Sequence, residues 1–269
     1  TIILNRNLKK ITDNLYEKIQ KKNSKFTDIF VVDAGSDKNK KSKYTTWSAE
    51  WNSAKKNGLR FSRGMNYALS SMFKDGTLNN YEYFLLLTND SIIENKPFIK
   101  ELIKIMSKIR TIAILSPCSK KWGEKFLLKK ENLKFFWYIH NNAYFIRTKF
   151  IKLICNKKKP NYYNFFLDGN NFRGFGAESE LILKAYKNNM SAAITSRVWI
   201  EEDEGHLLNK SNLIKTEPYD ENMRLYIEEG LRWMKKKYNF ESRWGMHIYI
   251  KKYYDLFFKK NKSLIKYKI

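Results

Sequence analysis

Three side chains, Asp90, Glu178 and His206, are of types and in places that could do chemistry together. Asp90 closes the stretch LLLTND, where the apolar run Phe84 to Leu87 stops on Thr88, Asn89 and Asp90. A carboxylate where a buried strand leaves an open α/β sheet lies where such sheets bind ligands, and it can hold a divalent cation that in turn holds a phosphate. Glu178 follows a Gly-rich, aromatic loop and opens the helical stretch AESELILKAY, so it can project into a cleft as a general base, with Asp168 a second candidate carboxylate. His206 ends the acidic run Glu201-Glu202-Asp203-Glu204-Gly205, and an imidazole there can complete a metal site begun by Asp90. Each has a plainer explanation. Asn-Asp-Ser is a common turn, acidic residues favour the first turn of any helix, and an acidic run can be a solvated loop.

The elements that must position these groups can be read from hydrophobic spacing. Thr1 to Leu4 reads as a first strand ending on Asn5-Arg6-Asn7, Leu8, Ile11, Leu15 and Ile19 recur at helical spacing, and FTDIFVV reads as a second strand running into Asp33 and Asp37. Strand, helix, strand implies a right-handed βαβ unit in a parallel sheet, and an Asp past the second strand is placed to accept hydrogen bonds from a nucleotide's base or ribose. No G-x-G-x-x-G follows the first strand, which disfavours a dehydrogenase. Gly58 to Leu69 reads as a turn and helix start whose amides and Arg63 can face an anion. Tyr81 to Ile93 carries the central strand, Pro97 suits the first turn of a helix over 98–109, and further strands are expected at 111–115, 143–146 and 191–200. His140, beside Trp137 and Tyr138, reads as a packed residue more readily than as a ligand. Helices are expected at 219–238 and 244–260, the second with alternating aromatic and basic residues that suit an anionic membrane surface, a sugar groove or packing under long Lys stems.

Composition bounds the class. The chain has 269 residues, 43% hydrophobic, enough for a core, and 52 Lys and Arg against 27 acidic residues give +25. That charge points to polyanions or phosphate-bearing substrates, although basic residues spread everywhere also describe a solvated surface and no specific nucleic-acid partner. Cys118 and Cys155 are far apart, which argues against a zinc ribbon or a disulfide scaffold and fits a reducing compartment. No apolar run approaches a membrane span and no signal peptide is visible, so a cytoplasmic protein is expected, soluble or peripheral at the inner face of the membrane.

Taken in order, TIILNRN, VVDAGSD, LRFSRGMNYAL, LLLTND, AYFI, GFGAESELILKAY and His206 resemble the family 2 glycosyltransferases of the GT-A fold, over residues 1 to about 206. The resemblance implies an α/β, Rossmann-like, mostly parallel central sheet flanked by helices, with residues 207–269 a helical C-terminal extension packed on the 1–206 catalytic domain. It implies inverting transfer from a nucleoside diphosphate sugar, UDP being the commonest donor nucleotide, to an oligosaccharide or lipid-linked glycan hydroxyl, as in bacterial capsule or surface polysaccharide synthesis. Asn5, Asp33, Asp37, Arg63 and Asn89 would then serve the nucleotide, with Asp33 on the base. Asp90 matches the last residue of the D-x-D motif and His206 the late metal ligand, together holding Mn²⁺ or Mg²⁺. Glu178 falls on the base position of E-D-x-D-x-x-x-x-R, counted back from Lys184 in the place of Arg; Glu180 and Asp168 would be acceptor or supporting carboxylates.

The chain departs from that pattern twice: Thr88 stands for the first Asp of D-x-D, and the base is Glu, one methylene longer than the usual Asp. A nucleotidyltransferase on a related sheet is the nearest alternative, but its Gly-rich, Lys-bearing phosphate loop is missing after the first strand. A basic module binding nucleic acid or membrane is the other, and it would have no use for Asp90, Glu178 and His206 meeting in space.

Overall fold

Short apolar runs without charge become strands here because their side chains are covered on both faces, as a parallel sheet between helical layers requires. The computed structural model describes residues 1–128, 131–138, 143–203, 205 and 217–269. In chain order the elements are β1 Ile2–Asn5, α1 Lys9–Asn23, β2 Phe30–Asp33, β3 Thr45–Ser48, α2 Asn52–Asn57, α3 Arg60–Lys74, β4 Tyr83–Thr88, β5 Ser91–Ile93 and α4 Phe98–Lys108. They continue with β6 Ile112–Cys118, α5 Glu124–Leu128, β7 Leu133–Phe135, β8 Ala143–Arg147, α6 Thr148–Ile154, α7 Ala177–Lys187, β9 Ser191–Glu202, α8 Tyr219–Tyr238 and α9 Arg243–Lys260.

The strands form one sheet in the order β3-β2-β1-β4-β8-β6-β9-β5, with β7 alongside β9. β1 lies between β2 and β4, parallel to both, so Asn5 aligns with Asp33 and Leu4 with Thr88. The ends of three strands therefore open on one edge, where ligands bind in folds of this kind. β4 is the central strand: Phe84 to Leu87 have almost no exposed surface. β8 departs from the parallel order, running antiparallel to both β4 and β6, and β5 and β7 pair antiparallel with β9.

β9 is long for a reason that matters to the site. Its first half runs parallel to β6, and its last residues leave that neighbour to pair antiparallel with β5, Ser91 opposite Glu202. The chain just past Thr88 is thus held against the chain just past Ile200. Sequence spacing did not reveal β3, a TTWS strand inside a Lys-rich segment that is anchored to β2.

α8 and α9 share the core of the sheet. Trp233, Met234, Met246, Ile250, Tyr254, Phe257 and Phe258 are buried in the same apolar cluster as Ile2, Leu86 and Ile114. One face of α9 packs on α7, where the buried His247 Nε2 lies 3.2 Å from Ser179 Oγ. Its other face carries exposed Trp244, Ile248 and Leu256 among Lys251, Lys252, Lys259 and Lys260. His140 lies outside the described residues.

Gly35 ties the loop after β2 to α2. Its φ is +92°, and a Cβ there would sit 2.2 Å from the Ala54 carbonyl oxygen and 2.5 Å from its carbon, backbone atoms that cannot rotate away. Gly35→Ala is expected to lower stability by about 1–3 kcal/mol, read as a fall in chemical-denaturation midpoint with an unchanged slope. An unchanged midpoint would show that the loop is looser than its backbone contacts indicate.

Candidate active site

At the strand-end edge, Asn5 is a hub. Its Nδ2 donates to Asp33 Oδ2 at 3.1 Å, and its Oδ1 accepts from Thr12 Oγ1 at 2.8 Å and from Asn89 Nδ2 at 3.3 Å. Asp33 Oδ1 accepts from the amides of Gly35 and Ser36, 3.2 and 2.9 Å away. The residues at the ends of β1, β2 and β4 are thereby locked into one polar network, with Asn5 and Asp33 0% exposed. Asp37 lies on the outer side of the same loop, its amide donating to Asn7 Oδ1 at 2.8 Å and its carboxylate paired with Lys40 at 3.1 Å. Arg6 supports the loop from beneath by donating to the carbonyls of Ala34 and Ala54.

A cavity of about 290 Å³ opens beside this edge, lined by Thr88, Glu178, Glu202, Arg173, Arg243 and Tyr226 among others. Glu178 is the second residue of α7, whose preceding Gly176 is left-handed (φ +79°), a turn that directs the helix start at the cavity. The residue is 8% exposed, and its carboxylate accepts a hydrogen bond from Arg243 Nη2 at the start of α9. The Tyr226 hydroxyl nearby is pushed up to about 12, by burial first and then by the Glu178 carboxylate, so it stays a neutral donor at neutral pH. Arg173 is clamped by Glu217 and Glu229. Those carboxylates outweigh burial and raise its pKa, so it is a permanent cation in the cavity wall.

Asp90 adjoins the cavity through β5 and β9. The Asp203 amide donates to the Asp90 carbonyl at 2.9 Å, and Glu202, opposite Ser91, faces the cavity. His206 lies outside the described residues, and among the described residues no three His, Cys, Asp or Glu side chains gather as a metal site.

The other expected carboxylates, Asp168 and Glu180, are held by side chains of α8. Lys237 Nζ bridges Asp168 Oδ2 at 2.5 Å and Glu180 Oε1 at 2.6 Å, Trp233 Nε1 donates to Asp168 at 3.0 Å, and Tyr238 donates to Glu180 at 2.5 Å. Both acids are therefore engaged by α8 and sew it to α7 and the loop before it. Arg63 is also committed elsewhere: Nε donates to the Gly169 carbonyl at 2.9 Å, and the guanidinium lies 4.5 Å from the ring centres of both Tyr163 and Phe172. Asp33, expected on the nucleobase, has no exposed surface and both oxygens engaged, so it shapes the loop from within. The spacing of motifs gave no sign of Arg6, Arg173, Arg243 or Asn66. Asn66 holds the loop backbone by accepting from the Phe166 and Leu167 amides and donating to the Leu167 carbonyl at 2.7 Å.

No family profile matches the chain, and no curated protein matches it in sequence. Among solved structures, S. aureus TarS matches with 14% identity and a TM-score of 0.50, over 87% of this chain and 43% of TarS. S. aureus TarS 1–349 in complex with UDP-GlcNAc matches with 16% identity and a TM-score of 0.50, over 86% of this chain and 65% of the other. The mannosyltransferase PcManGT from Pyrobaculum calidifontis, in complex with GDP-Man and Mn²⁺, matches with 10% identity and a TM-score of 0.49, over 85% of this chain and 67% of that one. The fold is that of the GT-A glycosyltransferases, and the chain spans less than half the length of the TarS chain it matches.

The α7–α8 seam has a defined pH signature. Burial alone would raise the Asp168 carboxyl, but hydrogen bonds from Lys237, Trp233 and the Asn170 amide win and hold it at about 2, below its ordinary 3.8. A depressed carboxylate stabilises the fold fully above its unfolded value and loses that contribution as pH falls through its folded value. Lys237→Met is expected to cost about 2 kcal/mol at pH 7, and the gap from the unmodified protein should narrow between pH 4 and about pH 2. A gap independent of pH in thermal melts over that range would remove Lys237 from the seam.

Proposed function

We propose that the protein is a glycosyltransferase that moves a sugar from a nucleoside diphosphate sugar, in the first instance a UDP-sugar, to an acceptor hydroxyl with inversion. The observation that carries this is one cavity at the carboxyl edge of the sheet that has Glu178, the end of β4 at Thr88 and the end of β9 at Glu202 in its wall. The GT-A fold and a similar structure solved with UDP-GlcNAc support the same reading. The nucleotide is expected along the loops after β1 and β2, above the Asn5, Asp33 and Asn89 network, with Asp37 on its outer side.

Inversion requires attack on the sugar's C1 from the face opposite the diphosphate. The acceptor hydroxyl oxygen forms the new bond to C1 while the bond from C1 to the diphosphate breaks, and Glu178 takes the hydroxyl proton. Thr88 in the cavity wall offers a hydroxyl where the family has a carboxylate, so Asp90 is left as the strand-end ligand. Asp90 and His206 would hold a divalent Mn²⁺ or Mg²⁺ ion, which when bound offsets the charge left on the diphosphate. The acid residues of this edge suit that role, because oxygen donors prefer such hard ions. Asp168 and Glu180 hold the helices around the cavity, and Tyr226 lines its wall.

The acceptor is expected to be an oligosaccharide or lipid-linked glycan, as in building a bacterial surface polysaccharide. Among the described residues no helix is long and apolar enough to cross a membrane. The outer face of α9, with Trp244 62% and Ile248 55% exposed between lysines, is matched in charge and polarity to an anionic bilayer surface reached from the cytoplasm.

Glu178→Gln keeps the shape of the side chain and removes the base. Sugar transfer, followed by release of UDP, is expected to fall roughly 10² to 10⁴-fold while UDP affinity stays within a few-fold. Near-normal turnover would take the role away from Glu178. For the α9 face, sedimentation with phosphatidylglycerol vesicles but not phosphatidylcholine vesicles is expected, and Trp244→Ser with Ile248→Ser should abolish it. Equal binding to both lipids, or none, would remove the membrane contact.

A further inference from the structure

We propose that the acceptor carries an anionic group, a phosphate or carboxylate, and that Arg243 is the residue that recognises it. This rests on the glycosyltransferase reading of the cavity and names the chemical class of its second substrate.

Two observations lead there. The first is that Glu178 is tied to Arg243 Nη2. That hydrogen bond occupies Glu178 Oε1, so this oxygen of the proposed base is taken until something else draws Arg243 away. The second is a set of three donors with no acceptor. Ser62 Oγ, Arg173 Nε and Arg243 Nε are buried, and each lacks a hydrogen-bond partner among the described residues. All three residues line the same cavity, yet they come from α3, from the loop before α7 and from α9. Ser62 is 1% exposed and the Arg173 side chain 6%, so water reaches neither freely.

A buried donor left unpaired costs about 1–3 kcal/mol, and three of them around one cavity point to a ligand that brings the acceptors. Two guanidinium groups and a hydroxyl match the several oxygens of a phosphate or carboxylate better than they match a neutral sugar ring. The two arginines are not equivalent. Arg173 has Glu229 on Nη1 and Glu217 on Nη2, so its charge is already balanced by carboxylates, and its Nε has no partner among the described residues. Arg243 has Glu178 as its carboxylate partner and stacks 5.3 Å over the ring of Phe175, on the side of the base rather than the strand-end side assigned to the diphosphate. An acceptor anion that exchanges for Glu178 on Arg243 leaves the carboxylate free beside the acceptor hydroxyl. The hydroxyl proton then passes to Glu178, the oxygen bonds to C1, the diphosphate leaves with the electron pair of the broken bond, and the acceptor's anion stays unchanged on Arg243.

The test uses the full chain saturated with UDP, with inorganic phosphate as the probe against sodium chloride at matched ionic strength. Thermal melting is followed for the unmodified protein, Arg243→Gln, Arg243→Lys and the surface control Lys18→Gln. Phosphate should raise the melting temperature saturably in the unmodified protein and in Lys18→Gln. Its apparent affinity should fall at least tenfold in Arg243→Gln and partly recover in Arg243→Lys, while UDP affinity in Arg243→Gln stays within twofold. No phosphate effect, or an equal one in Arg243→Gln, overturns the inference and leaves the enzyme reading standing. A tenfold loss of UDP affinity in Arg243→Gln assigns Arg243 to the donor diphosphate and overturns it too. Failure of the unmodified protein to bind UDP overturns both.

Discussion

The site depends on one pairing, that of β5 with the last residues of β9, closed by the hydrogen bond from the Asp203 amide to the Asp90 carbonyl. Without it, the turn after the central strand and the acidic run over a hundred residues later have no common place. With it, the segment carrying Asp90 and the segment leading to residue 206 lie side by side at the carboxyl edge of the sheet. Register matters as much as proximity, because side chains alternate faces along a strand. A slip of one residue in this pair would turn Glu202 away from the cavity it lines.

Around that pairing the chain uses buried polar groups as fasteners. Asn5 joins three strand ends, Asn66 holds the loop backbone at 166–167, and Lys237 fastens Asp168 and Glu180 to α8. Each is fully engaged, which makes it costly to disturb and keeps the walls of the cavity rigid. Glu178 differs, because its partner Arg243 belongs to a helix whose other face meets solvent. The C-terminal helices thus enclose the cavity and also place a cation on the proposed base, so they contribute to the site as well as to the core.

Much of the fold was legible because it rests on local patterns. The short apolar runs became β1, β2, β4, β6 and β9, the helical spacings became α1, α3, α4 and α7, and residues 219–238 formed α8 as expected. Order along the chain carried the likeness to GT-A enzymes, although no single motif was specific. What the sequence did not disclose depends on distant packing. Arg63 sits on a helix start that suits an anion, but the loop at 163–172 folds over it and its guanidinium lies against two rings. Asp33 ends a strand where a nucleotide contact is expected, yet the tight turn at Gly35 bends two amides onto its carboxylate. Arg243 lies sixty-five residues beyond Glu178, and no spacing rule links them. β3 is held by its neighbour rather than by its own apolar content.

The measurement that bears most directly on the central claim is the affinity for UDP, by calorimetry, with Mn²⁺ and with chelator, in the unmodified protein and in Asp90→Ala. Binding at the edge formed by β4, β5 and β9 predicts an affinity at least tenfold higher with Mn²⁺ than with chelator, and loss of that difference in Asp90→Ala. Equal affinity in both conditions, or a metal effect that survives Asp90→Ala, would contradict it.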